Sequence, residues 1–216
     1  LINTQLKHDF ELLTEKNHQM FIFVFESIKK TKKGLQTQNK DIINQIIDEK
    51  GRISLFQVET IKTCEQILLR WQPVLKGLRV ILSVSMLSSV LEKIFNLIIE
   101  INKTTLKYTT NEYIYPVIDI EKLFDLIITI FNVASESFLQ EKKDDELGFL
   151  ENFEKVVQLS QKIINDLMKI ISDKNTDSEQ ILDLIFIAKN LKLISELIMN
   201  IITISSYKKF GWIDKD

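Results

Sequence analysis

The chain has 216 residues, 45% of them hydrophobic and 27% charged, a balance that supports a sizeable core and excludes intrinsic disorder. Lys and Arg total 28 against 30 Asp and Glu, a net charge of −2, so no overall basic field exists to gather nucleic acid or hold an anionic membrane. Five Gly and two Pro supply too few turns for an all-β or βαβ fold, and the long segments repeat apolar residues at three and four, the helical period.

Leu6, Phe10, Leu13, Met20 and Val24 open a first helix that is predicted to stop near Lys33 and Gly34. Lys29, Lys30, Lys32 and Lys33 then fall at its C-terminal end, where the helix dipole favours cations; the same group also suits an acidic partner or a membrane surface. Phe21, Phe23 and Phe25 alternate along this helix and so cannot all face one bundle core. They are expected to form an exposed apolar strip for a dimer or partner interface. A second helix spans 39–70, with Gly51 marking a bend. Pro73 closes it and starts a third helix reaching to 107.

Residues 108–116 (YTTNEYIYP) break the pattern and read as a connection. Three more helices follow at 117–142, 145–172 and 178–206, with 173–178 (DKNTDS) supplying a loop and N-cap before the last. The closing GWIDKD is expected to leave the helical body. The longest uncharged apolar stretch, 80–91 between Arg79 and Glu92, is shorter than the roughly 20 residues of a membrane span. With no secretory signal pattern, the chain reads as a soluble cytoplasmic protein without membrane insertion. Isoleucine is abundant, at 34 residues, while Ala134 and Ala188 are the only alanines; packing has to overcome the weaker helix propensity of β-branched side chains.

The third and sixth helices superimpose at an offset of 100 residues. Ile81/Ile181, Leu82/Leu182, Leu91/Leu191, Ile94/Ile194, Leu97/Leu197, Ile98/Ile198 and Ile101/Ile201 are identical pairs, and Val84/Leu184 and Leu87/Ile187 keep the register. The reading is an all-α fold of six long helices in two tandem three-helix bundles related by this repeat. The first bundle is 1–107, the connection 108–116, the second bundle 117–206 and the tail 207–216.

The stretch from Gln72 through Arg79 (QPVLKGLR), followed by LSVSMLSSVLEKIFNLIIEI (82–101), resembles the signature of the PhoU family. The second copy, IAKNLKLISELIMNII (187–202), is similar to that family's second repeat. The resemblance implies a cytoplasmic, commonly dimeric regulator that restrains phosphate uptake and starvation signalling. It implies an adaptor role between a Pst-type transporter ATPase and a PhoR-type sensor histidine kinase. It also implies acidic ExxxD motifs that hold multinuclear metal clusters in some members.

Those motifs are degenerate here. Glu92 keeps the Glu of the first copy, but Asn96 stands for the Asp and Val90 for an upstream acid. In the second copy Lys192 replaces the Glu, Glu196 replaces the Asp and Asn200 matches. On the preceding helices Lys50, Arg52 and Ser54, and then Phe153, Lys155 and Val157, lie where the family has acids. Gly77 also replaces an Asp, while Arg79 matches.

Helical spacing places Ser85, Ser89, Glu92, Asn96 and Glu100 along one polar seam, and Lys189, Lys192, Glu196, Asn200 and Thr203 along its counterpart. Divalent cations and carboxylate-bound iron need several converging oxygens with net negative charge. The seams therefore read as solvated faces with ion pairs such as Lys192 to Glu196. Glu92, Glu100 and Glu196 are the vestigial metal candidates, and no cofactor is expected, although the resemblance admits a divalent metal or iron.

No catalytic residue is assigned. His8 and His18 are the only histidines and belong to no HExxH or ExxH arrangement. The glycines are scattered, so no phosphate-binding loop exists. Cys64, the single cysteine, reads as a buried apolar residue, and Arg70 and Arg79 as structural salt-bridge formers. The leading function is a non-enzymatic adaptor. A PhoU-like accessory protein or scaffold for another transporter, and a metal-dependent helical-bundle enzyme, are the alternatives.

Overall fold

The apolar stripes of the sequence are buried in seven helices of the computed structural model, which describes residues 2–107, 118–140, 146–171 and 178–211. In chain order they are α1 (Ile2–Thr37), α2 (Lys40–Asp48), α3 (Lys50–Trp71), α4 (Lys76–Leu106), α5 (Ile118–Gln140), α6 (Glu146–Ile171) and α7 (Ser178–Phe210). Helices α1 to α4 pack together, α5 to α7 pack together, and the two groups meet where α4 lies on α7 and α1 on α5. The connection at 108–116 and the loop at 173–177 fall outside the described residues, as does the tail beyond Gly211.

Helix α1 runs past Gly34, so the lysine group lies before its last turn, which carries no basic residue. The chain stops instead at Gln38, in the left-handed region at φ 50°. The Asn39 N–H returns to the Gly34 carbonyl at 3.3 Å, closing a Schellman-type turn. Asn39 then caps α2, its side-chain oxygen accepting from the Asp41 and Ile42 N–H groups at 2.9 and 3.1 Å. Gly34 is needed for contact rather than for a helix stop: a Cβ there would lie 3.0 Å from Ile43 Cγ1, on the buried face of α2.

The predicted second helix is divided at Glu49, where the backbone N–H reaches back to Ile46 and Ile47. Gly51 lies just inside α3 in open space, with no atom beyond its own helix backbone and chain neighbours within 4 Å of a Cβ position, so it does not make the bend. The third helix begins at Lys76 rather than at Pro73. Gln72 (φ 44°) and Leu75 (φ 51°) turn the chain between α3 and α4. Pro73 is thereby folded back over the first turn of α4, where a Cβ at Gly77 would come within 2.9 Å of its ring.

Helices α4 and α7 form the centre. Seven of the nine repeat pairs, Ile81/Ile181, Val84/Leu184, Leu87/Ile187, Leu91/Leu191, Ile94/Ile194, Ile98/Ile198 and Ile101/Ile201, are buried at both members. The two helices run antiparallel. Lys107 at the end of α4 pairs with Asp183 at the start of α7, Nζ to Oδ2 3.0 Å, while Arg79 at the start of α4 lies beside Gly211 after α7. Among the described residues α4 is the one helix long and apolar enough to cross a membrane. Its apolar side chains are largely taken up by α1, α3 and α7.

Each half also has a buried polar tie between its first and last helices. Asn102 Nδ2 donates to Thr31 Oγ1 at 2.7 Å in the first, and the Ser137 and Ser205 hydroxyls meet at 2.8 Å in the second. At the far end of α1, Asp9 accepts from the Trp71 indole N–H at 2.8 Å and pairs with Arg70 at 3.4 Å. The Trp71 hydrogen bond is the main cause holding the Asp9 carboxyl below its ordinary pKa.

The two helical glycines should respond oppositely to substitution. Gly51→Ala, which fills open space in a helix, is expected to raise stability by about 0.5 kcal/mol. Gly34→Leu, which drives a side chain into Ile43, is expected to lower it by about 1–3 kcal/mol. Urea unfolding midpoints of the two variants check both signs.

Candidate functional site

Helix α3 runs along the polar seam of α4 and covers part of it. Ser85, Ser89, Glu92 and Asn96 are half-buried and Glu100 is exposed. The Ser54 hydroxyl donates to Glu92 Oε1 at 3.0 Å, and Gln57 Nε2 donates to Ser89 Oγ at 3.2 Å. Lys50, Ser54, Glu92, Lys93, Asn96 and Glu100 line an open groove of about 430 Å³ between the helices. Glu100 is not turned toward Glu92 for chelation but pairs with Lys103 at 2.8 Å.

The donor set does not fit a metal cluster. Glu92 and Glu100 are separated by about 12 Å of helix rise, and two ammonium groups, Lys50 and Lys93, share their groove. Among the described residues no three His, Cys, Asp or Glu side chains converge. Arg52, at another position where the resemblance implies an acid, stacks over Phe23 and Phe56 at 4.8 and 5.5 Å. It also pairs with Glu49 at 3.7 Å.

The second seam carries the anticipated ion pair, Lys192 Nζ to Glu196 Oε1 3.5 Å, with Lys189, Asn200 and Thr203 exposed. Phe153 stacks on Phe149 at 6.4 Å and Val157 is half-buried. Lys155 lines the α5/α6 groove with Lys122 and Lys162. In this half too, Lys192, Phe153, Lys155 and Val157 put apolar and cationic groups where the resemblance implies acids, while Glu196 keeps a carboxylate.

The aromatic strip is interior, contrary to expectation. Phe21 packs on Phe131 and Phe138, with centroids 5.9 and 6.0 Å apart, and Phe25 stacks on Phe131 at 5.8 Å. Phe23 stacks on Phe95 at 5.0 Å and meets Phe56. Helix α1 touches α3 and α4 of its own half as well as α5 of the other, which gives alternating rings two cores to enter. Phe21 and Phe23 are buried and Phe25 half-buried.

The lysine group is likewise partly committed inside the molecule. Lys32 bridges to Asp125 of α5, and Lys29 pairs with Glu26 and covers the Phe25 ring. Lys30 and Lys33 are exposed, as are His8 and His18. Arg70 makes the expected structural pair through Asp9. Arg79 makes none with the described residues; its Nε is buried without a hydrogen-bond partner, and its guanidinium lies at the C-terminal end of α7, 3.7 Å from the Cβ position of Gly211.

Two surface features escape a reading for motifs. Leu82 and Met86 of α4 are exposed, and so are Leu182 and Phe186 of α7, so the repeat preserves an outward apolar pair at the same offset as the core. The signal was present in the identical Leu82/Leu182 pair, whose outward position only the packing of both helices decides.

Two packed helical units, α1 to α4 and α5 to α7, joined through antiparallel repeat helices and bearing polar seams, define a helical-bundle scaffold. Residues 120–204 match the model of the PhoU domain. The chain is 24% identical over 197 residues to the phosphate-specific transport system accessory protein PhoU homolog 1 of Thermotoga maritima, covering 90% of this chain and 84% of that protein. It is 20% identical to the Escherichia coli accessory protein PhoU over 200 residues, 93% of this chain and 83% of that one. The crystal structure of PhoU from Pseudomonas aeruginosa superimposes with a TM-score of 0.89 at 17% identity, over 95% of this chain and 99% of that one. The phosphate transport system regulatory protein PhoU from Streptococcus pneumoniae gives 0.87 at 17% identity, over 97% and 99%. The chain is similar to PhoU proteins in sequence and in fold along nearly its whole length.

Cys64 is buried, with Sγ 3.7 Å from the Ile81 carbonyl oxygen. Burial pushes its thiol up to about 11, so at pH 8 the reactive thiolate is scarce as well as inaccessible. The native protein is expected to react with a thiol-specific chromogenic disulfide only at the rate of its own opening, and at once in denaturant. Stoichiometric reaction of the native protein within seconds would contradict this placement.

Proposed function

We propose that this chain is a phosphate transport system accessory protein that restrains phosphate uptake and starvation signalling. It does so as a non-enzymatic cytoplasmic adaptor between a Pst-type transporter ATPase and a PhoR-type sensor kinase. The observation that carries the reading is the match along nearly the whole chain to proteins named as phosphate-specific transport system accessory proteins. The character of the surface supports it. Helical faces with paired charges and outward apolar residues suit partner docking, whereas the polar seams bring together no nucleophile and base.

In this reading Leu82, Met86, Leu182 and Phe186 are the exposed apolar groups available to a partner or to a second copy in a homodimer. The interior positions of Phe21 and Phe25 suit them to holding the two halves together through Phe131 and Phe138, and that of Phe23 to the core of the first half through Phe95 and Phe56.

The test is titration of the purified chain with the Pst-type ATPase and the PhoR-type kinase of its own organism, at high and at low phosphate. Saturable binding to both, weakened by Leu82→Glu or Phe186→Glu with the fold intact by circular dichroism, is the expected result. Absence of binding to either at both phosphate levels would overturn the proposal.

A further inference from the structure

Glu92 is the acid of the first ExxxD motif that this chain keeps, and its carboxylate is engaged by a neutral donor from the neighbouring helix. Ser54 holds Glu92 Oε1 at 3.0 Å. Three residues along α3, Gln57 holds the Ser89 hydroxyl at 3.2 Å, and Ser89 lies three residues back along α4. The two bonds therefore step in opposite chain directions and form successive rungs between antiparallel helices. Ser89 is further fixed by donating to the Ser85 carbonyl at 3.4 Å.

The carboxylates around these rungs are compensated by lysine side chains without a metal ion. Lys50 and Lys93 border the groove that contains Glu92 and Glu100, and Lys103 neutralises Glu100 directly. A divalent ion entering here would meet three ammonium groups and would have to displace the Ser54 hydroxyl, gaining in return one half-buried carboxylate and the Asn96 amide. Hard cations require several converging anionic oxygens, which this groove lacks. The second half has changed in the same direction, since Lys192 occupies the motif position and pairs with Glu196 at 3.5 Å.

We infer that in this chain the motif positions of the first half form a metal-independent polar ladder, Ser54 to Glu92 and Gln57 to Ser89, which fastens α3 to α4. The ladder stands apart from the choice of partner proteins, so failure of the partner titration leaves it intact and failure of the ladder leaves the adaptor reading intact.

The experiment uses the full chain. It is incubated with excess Mn²⁺, and separately with Fe²⁺ under anaerobic conditions, then desalted and assayed for metal. Its melting curve is recorded alone, with EDTA and with Mn²⁺. The ladder predicts no retained metal and superimposable melting curves. Ser54→Ala is expected to lower the melting temperature by about 2–4 °C, with or without Mn²⁺, and Ser54→Thr to restore most of it. Stoichiometric Mn²⁺ or Fe²⁺ that is lost in Glu92→Gln, or a melting temperature lowered by EDTA, would overturn the inference. An unchanged melting temperature in Ser54→Ala would overturn it as well, since the rung would then fasten nothing.

Discussion

The antiparallel packing of α4 against α7 fixes the rest of the molecule, because neither helix can bury its apolar residues within its own half. Ile81, Leu87, Leu91, Ile94 and Ile98 of α4, and Ile181, Ile187, Leu191, Ile194 and Ile198 of α7, are all at or near zero exposure in one continuous cluster. Burial of this kind contributes about 1.5–3 kcal/mol per large side chain, which far exceeds the surface ion pairs, worth about 0–1 kcal/mol each. The ion pair from Lys107 to Asp183 sets the register at one end of the helix pair, but the isoleucine ladder holds the helices together.

Once α4 and α7 are paired, α1 and α5 are brought side by side, and the aromatic chemistry of the core follows. Phe21 and Phe25 of α1 reach Phe131 and Phe138 of α5, while Phe23 turns back to Phe95 of α4. A helix with a single buried stripe would leave one of these rings in water; a helix wedged between two bundles does not. The outer helices are left to carry surface chemistry. On α3 that surface is Ser54 and Gln57 against α4 and Arg52 over Phe23 and Phe56, and on α6 it is Lys155 and Lys162 facing α5.

Helix order and repeat were legible in the sequence because they rest on apolar period, which is local and redundant along each segment, whereas the division at Glu49 into α2 and α3 was not. What the period could not convey was contact between segments. Gly34 carries the ordinary signature of a helix end, yet it lies inside α1 because Ile43 requires the missing Cβ. Pro73 carries the signature of a first helical turn, yet Gln72 and Leu75 take positive φ and delay α4 to Lys76. The Phe21, Phe23 and Phe25 alternation suggests an exposed strip for the same reason, yet the rings enter two cores. For the seams, loss of acids was plain from Asn96, Lys192 and Ser54 in the sequence. The replacement of charge by the Ser54 and Gln57 hydrogen bonds depends on the register of α3 against α4, which no single helix encodes.

If the α4/α7 contact makes the two halves one core, the chain has to unfold as a unit, and calorimetry reads this directly. A single thermal transition is expected, with a calorimetric enthalpy equal to its van't Hoff enthalpy. Two resolved transitions, with one half melting while the other keeps its helices, would show that each bundle is stable alone and would contradict it.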